Sequence, residues 1–165
     1  MDAEVVTPRW SRDELERAHQ HYQEVANRCA VHGEWREWAD LFTDDAVYLE
    51  HTFGTFRGPE EIYGWIAPLM AQWPNKAMTS FPHAWCVCDE DRGWWICRIE
   101  NRMQDPGDGS MHQAHNITVL HYAGDMRFSY EEDAYNPAAF GPMISGWLEA
   151  YAAHGGVPEE CRTGP

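Results

Sequence analysis

The sequence predicts an α+β fold: a cone-shaped α+β barrel, with a strongly curved, mostly antiparallel sheet wrapped around three N-terminal helices and an internal cavity. Three observations predict it. Helical periodicities open the chain, interleaved with a single hairpin. From Met78 onward the pattern becomes four strand-like runs separated by short turns. Nine Trp, seven Tyr and six Phe are more aromatic surface than a small core requires, which favours an aromatic-lined cavity or interface.

Each element has its own signal. Ser11 is an N-cap, and Glu14 three residues on completes a capping box. Leu15, Ala18, Tyr22, Val25, Ala26 and Cys29 then recur at helical spacing, and Gly33 supplies the stop. "EWREWADLF" reads as a short helix with Trp35, Trp38, Leu41 and Phe42 inward, ended by Asp44 and Asp45. Residues 46–52 have strand character, Gly54 turns the chain, and a return strand reaches Arg57. Pro59 stands at a first helical position and opens "PEEIYGWIAPLMAQW", which Pro68 should kink or end.

"MTSFPHAWCVCDED" and "GWWICRIENRMQD" follow as two strands, "HQAHNITVLHY" as a third and "MRFSYEEDAYNP" as a fourth, stopped by Pro137. "AAFGPMISGWLEAYAAHGG" reads as a terminal helix broken near Gly141-Pro142. Without repeats or a linker, residues 1–165 make a single domain, with a core over about 11–150 and a frayed C-terminal tail.

Composition excludes several functions. A net charge of −15 argues against nucleic acid or an anionic membrane as partner, since both need a basic footprint. No run approaches the ~18 apolar residues of a membrane span, and the start lacks an apolar signal-peptide core. Cys29, Cys86, Cys88, Cys97 and Cys161 are odd in number without a CxxC pair, which reads as buried free thiols in a cytoplasmic protein, with Cys86 and Cys88 on one strand face as core packing. His112 and His115 have three-residue spacing, but on a strand that sends the rings to opposite faces. No HExxH, Cys/His zinc spacing, GxGxxG, P-loop or GxSxG occurs, so neither a metal nor a cofactor is expected.

The helix ending at Gly33, "WADLFTDDAVYLEHTFGTFRGPEEI" and "YAGDMRFSYEEDAYNP" together resemble the SnoaL-like polyketide cyclase family of the nuclear transport factor 2-like superfamily. Ketosteroid isomerase, limonene epoxide hydrolase and scytalone dehydratase relatives share that superfamily. The resemblance covers about residues 11–150. It implies a cone cavity that works without a cofactor, and homodimers that pair convex sheet faces. It is specific for fold and poor for function, because the family mixes isomerases, dehydratases, cyclases, hydrolases, lyases and non-catalytic binders. Comparison with the isomerase puts Glu50 where a carboxylate abstracts the substrate proton. The isomerase's oxyanion-hole Tyr would fall near Ala26, one turn from Tyr22, and its partner acid near Asn116 or Ile117, so those two positions do not match. Comparison with the epoxide hydrolase aligns Tyr48-Leu49-Glu50 with Tyr-x-Asn, Arg98-Ile99-Glu100 with Arg-x-Asp, and Asp133 with a last-strand Asp.

Strand alternation is an independent guide. Tyr48 and Glu50 share a face, as do Arg98 and Glu100. If those faces meet inside the cone, Arg98 keeps one carboxylate ionised while burial raises the pKa of a second. The alternative for Arg98–Glu100 is an ion pair on the solvated or dimer face. Glu131 and Asp133 share one face and Glu132 shares the other with Tyr130 and Phe128; the hydrolase comparison favours Asp133 inward. His51 should face away from Glu50, and His83 and Trp85 should lie together, an imidazole beside an aromatic wall.

The candidate machinery is therefore Glu50 as base, Asp133 or Glu100 as acid or second base, Arg98 setting their charges, and Tyr48 with His83 as oxyanion-side donors. Tyr22, His51, Trp85, Asn101, His115 and Tyr130 are candidate substrate contacts. The expected activity is cofactor-independent acid–base chemistry on an apolar, aromatic or polycyclic small molecule: a lyase step such as retro-aldol deformylation, a dehydration, or an isomerisation. Epoxide hydrolysis and a non-catalytic binding or dimerisation module are the alternatives.

Overall fold

The computed structural model describes residues 9–154. Helix α1 (Arg12–His32) begins where Ser11 Oγ accepts the Glu14 amide at 3.2 Å and ends at Gly33, whose φ of 75° places it in the left-handed region. Its buried stripe runs Leu15, Ala18, His19, Tyr22, Val25, Ala26 and Cys29. Each large apolar side chain so buried contributes ~1.5–3 kcal/mol. Helix α2 (Arg36–Ala39) is a single turn that seats Trp35 and Trp38 edge-to-face with ring centroids 5.8 Å apart.

Strand β1 (Phe42–Glu50) starts earlier than the expected 46, because Phe42 already pairs with Phe128 and the Phe128 amide donates to Leu41 O at 2.8 Å. Asp44 and Asp45 do not end the helix; they sit where the register shifts between Phe42 and Val47. Strand β2 (Gly54–Arg57) returns antiparallel, and helix α3 (Gly58–Ala71) begins at once. Gly58 is required there: its φ is 65°, and a Cβ would lie 2.7 Å from Asp44 O. The helix ends three residues beyond Pro68.

The single run expected at 78–89 is two strands, β3 (Met78–Ser80) and β4 (His83–Asp89), both antiparallel to β5 (Trp94–Met103). Pro82 has no amide hydrogen for the ladder, so the strand breaks there, and its carbonyl accepts the Glu100 amide at 2.9 Å. Strands β6 (Gln113–Gly124) and β7 (Arg127–Tyr135) complete the sheet in the order β2-β1-β7-β6-β5-β3, with β4 also on β5. All pairs are antiparallel except β1–β7.

Helix α4 (Pro137–His154) runs unbroken through Gly141-Pro142, contrary to the expected break. Tertiary packing overrides the local signal: Met143 and Trp147 are buried, and the Trp147 indole donates to Gln104 O at 2.7 Å. The fold is thus α+β, with helices packed against a curved mixed sheet. Cys29 and Cys97 are buried as expected, whereas Cys86 is exposed and Cys88 half-buried, so those two are not in the buried core. The tail beyond residue 154, with Cys161, lies outside the described residues.

Candidate active site

The inner surface of the sheet and helices α1–α4 enclose a cavity of about 320 Å³. Trp35, Trp38, Trp65, Phe81, Met70 and Ile99 form apolar walls. Against them stand three carboxylates, those of Glu50, Glu131 and Asp133. Among the described residues, no Lys or Arg lines this cavity. The parallel pairing of β1 and β7 gathers the acids, setting Tyr48 opposite Glu131 and Glu50 opposite Asp133.

The three acids are held in different ways. Asp133 Oδ2 accepts the Tyr48 hydroxyl at 2.5 Å, and Oδ1 accepts the Asn116 amide at 2.6 Å together with the Thr118 hydroxyl. Asn101 Nδ2 donates to Asn116 Oδ1 at 2.8 Å, which fixes the amide orientation that Asp133 needs. Burial raises the Asp133 pKa, while its three donors favour the ionised form. Glu131 Oε1 accepts the Tyr22 hydroxyl at 2.7 Å, and its Oε2 is buried without a partner. Burial first, then the charge of Asp133, pushes the Glu131 carboxyl well above the usual range, which favours its protonated form.

Glu50 Oε2 accepts the Thr52 and Phe53 amides, each at 2.6 Å. Burial, the neighbouring carboxylates and hydrogen bonds to them raise Tyr22 and Tyr48 well above their ordinary value, keeping both as neutral donors. Burial also raises Tyr135, which bonds Glu50, and lowers His83 to about 4, leaving its imidazole neutral at pH 7.

Of the sequence candidates, the structure brings together Glu50, Tyr48, Asp133, His83, Tyr22 and Asn101 at this cavity. The others lie elsewhere. Ile99 and Asn101 are the inward residues of β5, so alternation puts Arg98 and Glu100 on the opposite face, paired with each other at 2.7 Å. His51 meets Glu132 at 2.7 Å, Tyr130 bonds Glu132 at 2.9 Å, and His115 is exposed. Trp85 is 47% exposed and parts from His83, because Ala84 is an extra residue between the pairs His83–Ile99 and Trp85–Arg98. A second bulge at Ser129 turns Phe128 into the core, away from the face it was expected to share with Tyr130. Sequence reasoning gave no role to Asn116, Thr118, Tyr135 or Glu131; the two-residue spacing to Asp133 was the available signal for Tyr135 and Glu131.

The SnoaL-like domain profile matches residues 15–130. The chain belongs to that family. A search of curated proteins returns no match. Among solved structures, a Bacillus subtilis protein provisionally named an isomerase is similar with a TM-score of 0.61 at 16% identity, over 81% of this chain and 94% of that one. A SnoaL-like polyketide cyclase, provisionally so named, from Jannaschia sp. CCS1 gives 0.59 at 12%, over 88% and 97%. An LEH-like epoxide hydrolase of M. tuberculosis gives 0.58 at 15%, over 86% and 96%. At such identities the likeness is one of fold, the nuclear transport factor 2-like cone.

Proposed function

We propose that this SnoaL-like protein is an acid–base enzyme that moves a proton on a neutral aromatic or polycyclic small molecule, as an isomerase or lyase. One observation carries the reading: the carboxyls of Glu50, Glu131 and Asp133 face one apolar cavity, where burial raises that of Glu131 well above the usual range. A raised acid beside a placed base is what acid–base catalysis uses.

Glu50 takes a proton from carbon next to a carbonyl, and the electron pair moves onto the carbonyl oxygen. Glu131, with its unpartnered Oε2, donates a hydrogen bond to the developing oxyanion. Tyr22 orients Glu131, and Tyr48 holds Asp133. Returning the proton to another carbon isomerises the substrate; loss of a β-hydroxyl as water dehydrates it. The names of the isomerase and cyclase neighbours agree with this class.

Epoxide hydrolysis is less well supported. Its comparison needs Arg98 and Glu100 beside the water site, and the cavity holds Ile99 and Asn101 there instead.

The reading extends to a homodimer through the outer sheet face, where Trp85, Val87 and Trp94 are 47%, 57% and 37% exposed. It also places the protein in the cytoplasm, where its four described cysteines, all free, stay reduced. No described helix is long and apolar enough to cross a membrane.

The test is deuterium exchange. Aromatic enones, β-hydroxy ketones and diaryl diols are incubated with the protein in D₂O, and label next to the carbonyl is read by mass spectrometry. Wild type should exchange label into a bound ketone, and Glu50→Gln should bind without exchanging. Equal exchange in both proteins removes Glu50 as the base. Solvent oxygen entering an epoxide-derived diol would favour the hydrolase instead.

A further inference from the structure

Away from the acids, the inner face of β5 meets α1 at a second cluster of reactive side chains. Trp95, Cys97, Ile99 and Asn101 alternate along the inward face of β5. His19 of α1 stacks on Trp95 with ring centroids 4.3 Å apart, and His83 at the start of β4 lies 4.2 Å from His19 by the same measure. A donor atom from each of His19, His83 and Cys97 falls within 4.8 Å of the other two.

These donors lack partners. His19 Nε2 and both ring nitrogens of His83 are buried without a hydrogen bond. Unmade hydrogen bonds at buried polar atoms are costly, and one ion reached by His19 Nε2 and a single His83 nitrogen would satisfy two of these three. His19 is only 6% exposed and Cys97 0%.

A second observation points to the charge of that occupant. The cavity beside the cluster, which His83 lines, holds the carboxyls of Glu50, Glu131 and Asp133 and no described Lys or Arg. A cation at the cluster would bring positive charge to that wall.

We propose that His19, His83 and Cys97 bind a single Zn²⁺ ion at the wall of the cavity. Two imidazoles and a thiolate are a borderline-soft donor set that suits zinc, and hard oxygen-seeking cations do not fit it. Binding sends the Cys97 proton to solvent and leaves a fourth position beside His83, which lines the cavity. Zn–N bonds of ~2.0–2.1 Å and a Zn–S bond of ~2.3 Å in a tetrahedron put donor atoms about 3.3–3.6 Å apart. The present spread of up to 4.8 Å therefore has to close by about 1.2–1.5 Å, within reach of side-chain rotation. No linear motif announces the site because its ligands come from a helix and two strands, at positions 19, 83 and 97. The inference is independent of the acid–base reading.

The test uses full-length protein, stripped with chelator and kept reduced, titrated with Co²⁺ as a spectroscopic stand-in and then with Zn²⁺. Wild type should bind one Co²⁺ with tetrahedral visible bands and a thiolate-to-cobalt charge-transfer band, all displaced by one Zn²⁺. Cys97→Ser should lose the charge-transfer band, and His83→Asn should bind at least ~10-fold more weakly. A Cys86→Ser/Cys88→Ser double variant should keep the wild-type spectrum. Circular dichroism reports whether each variant folds, and His83→Asn serves if Cys97→Ser does not. A wild type without the charge-transfer band, a band that survives Cys97→Ser, or wild-type affinity in folded His83→Asn would overturn the site. Exchange activity of the metal-free protein is scored separately, so failure of one proposal is distinguishable from failure of the other.

Discussion

Glu131 and Glu132 are consecutive residues on one strand, and they live in opposite physical conditions. Glu131 is 1% exposed, faces the cavity, and has its carboxyl raised well above the usual range by burial and by Asp133. Glu132 faces outward, where His51 and Tyr130 hydrogen-bond it and hold its carboxyl below the usual range. The same division separates inward Ile99 and Asn101 from outward Arg98 and Glu100. On the outer face Glu100 pairs with Arg98, and Glu132 with His51 and Tyr130. On the inner face the described partners are hydroxyls and amides, and burial raises the carboxyls of Glu131 and Asp133. The side of the sheet, more than the residue type, decides which carboxyl can do chemistry.

The comparison breaks most visibly at turnover. Glu50→Gln on the inner face should lower the catalysed rate by about 10²–10⁴-fold, the ordinary worth of a placed general base. Arg98→Gln on the outer face should leave the rate within about twofold, its ion pair being remote from the cavity. Steady-state rates on the substrate found by exchange check both.

Next in size is a pH-dependent effect at Glu131. Its folded pKa is raised, so above the usual carboxylate range the native state holds a proton that the unfolded chain has released. Stability therefore falls as pH rises, by up to ~1.4 kcal/mol per pH unit until the folded pKa is reached. Glu131→Gln removes that slope and should gain on wild type between pH 5 and 8 in urea denaturation. Glu132→Gln should not.

His83 works in the other direction. Its folded pKa of about 4 lies below the ordinary 6.5, so the unfolded chain binds the proton first as pH falls. Its contribution is fully present above 6.5 and declines as pH drops towards 4, and His83→Asn should flatten that part of the metal-free stability curve. The smallest effect belongs to the outer face. His51→Gln removes a half-exposed pair with Glu132 and should cost no more than about 1 kcal/mol in thermal or urea unfolding.

Much of this was legible from the chain. The α1 stripe, its Ser11 cap and its Gly33 stop follow from helical periodicity, and the shared face of Tyr48 and Glu50 from a period of two. Alternation groups residues by face but does not say which face is concave. That is why Arg98-Ile99-Glu100 was read one position out of phase with the cavity. Bulges are invisible to counting, so Ala84 parted Trp85 from His83, and Ser129 sent Phe128 inward. Pro142 looked like a break because a local rule cannot see Trp147 anchored on Gln104. The hydrogen bonds from Asn116 and Thr118 to Asp133 needed the register of β6 against β7, in which Thr118 faces Asp133 and Asn116 faces Tyr135.

The most direct test of the central claim is a carbon-13 NMR titration of side-chain carboxyls in the metal-free protein, with Glu131 and Glu132 assigned by substitution. The account predicts that Glu131 keeps the chemical shift of a protonated acid through neutral pH, while Glu132 ionises below the usual carboxylate range. If both titrate together in the usual range, the cavity holds no neutral acid, and the acid–base reading built on it fails.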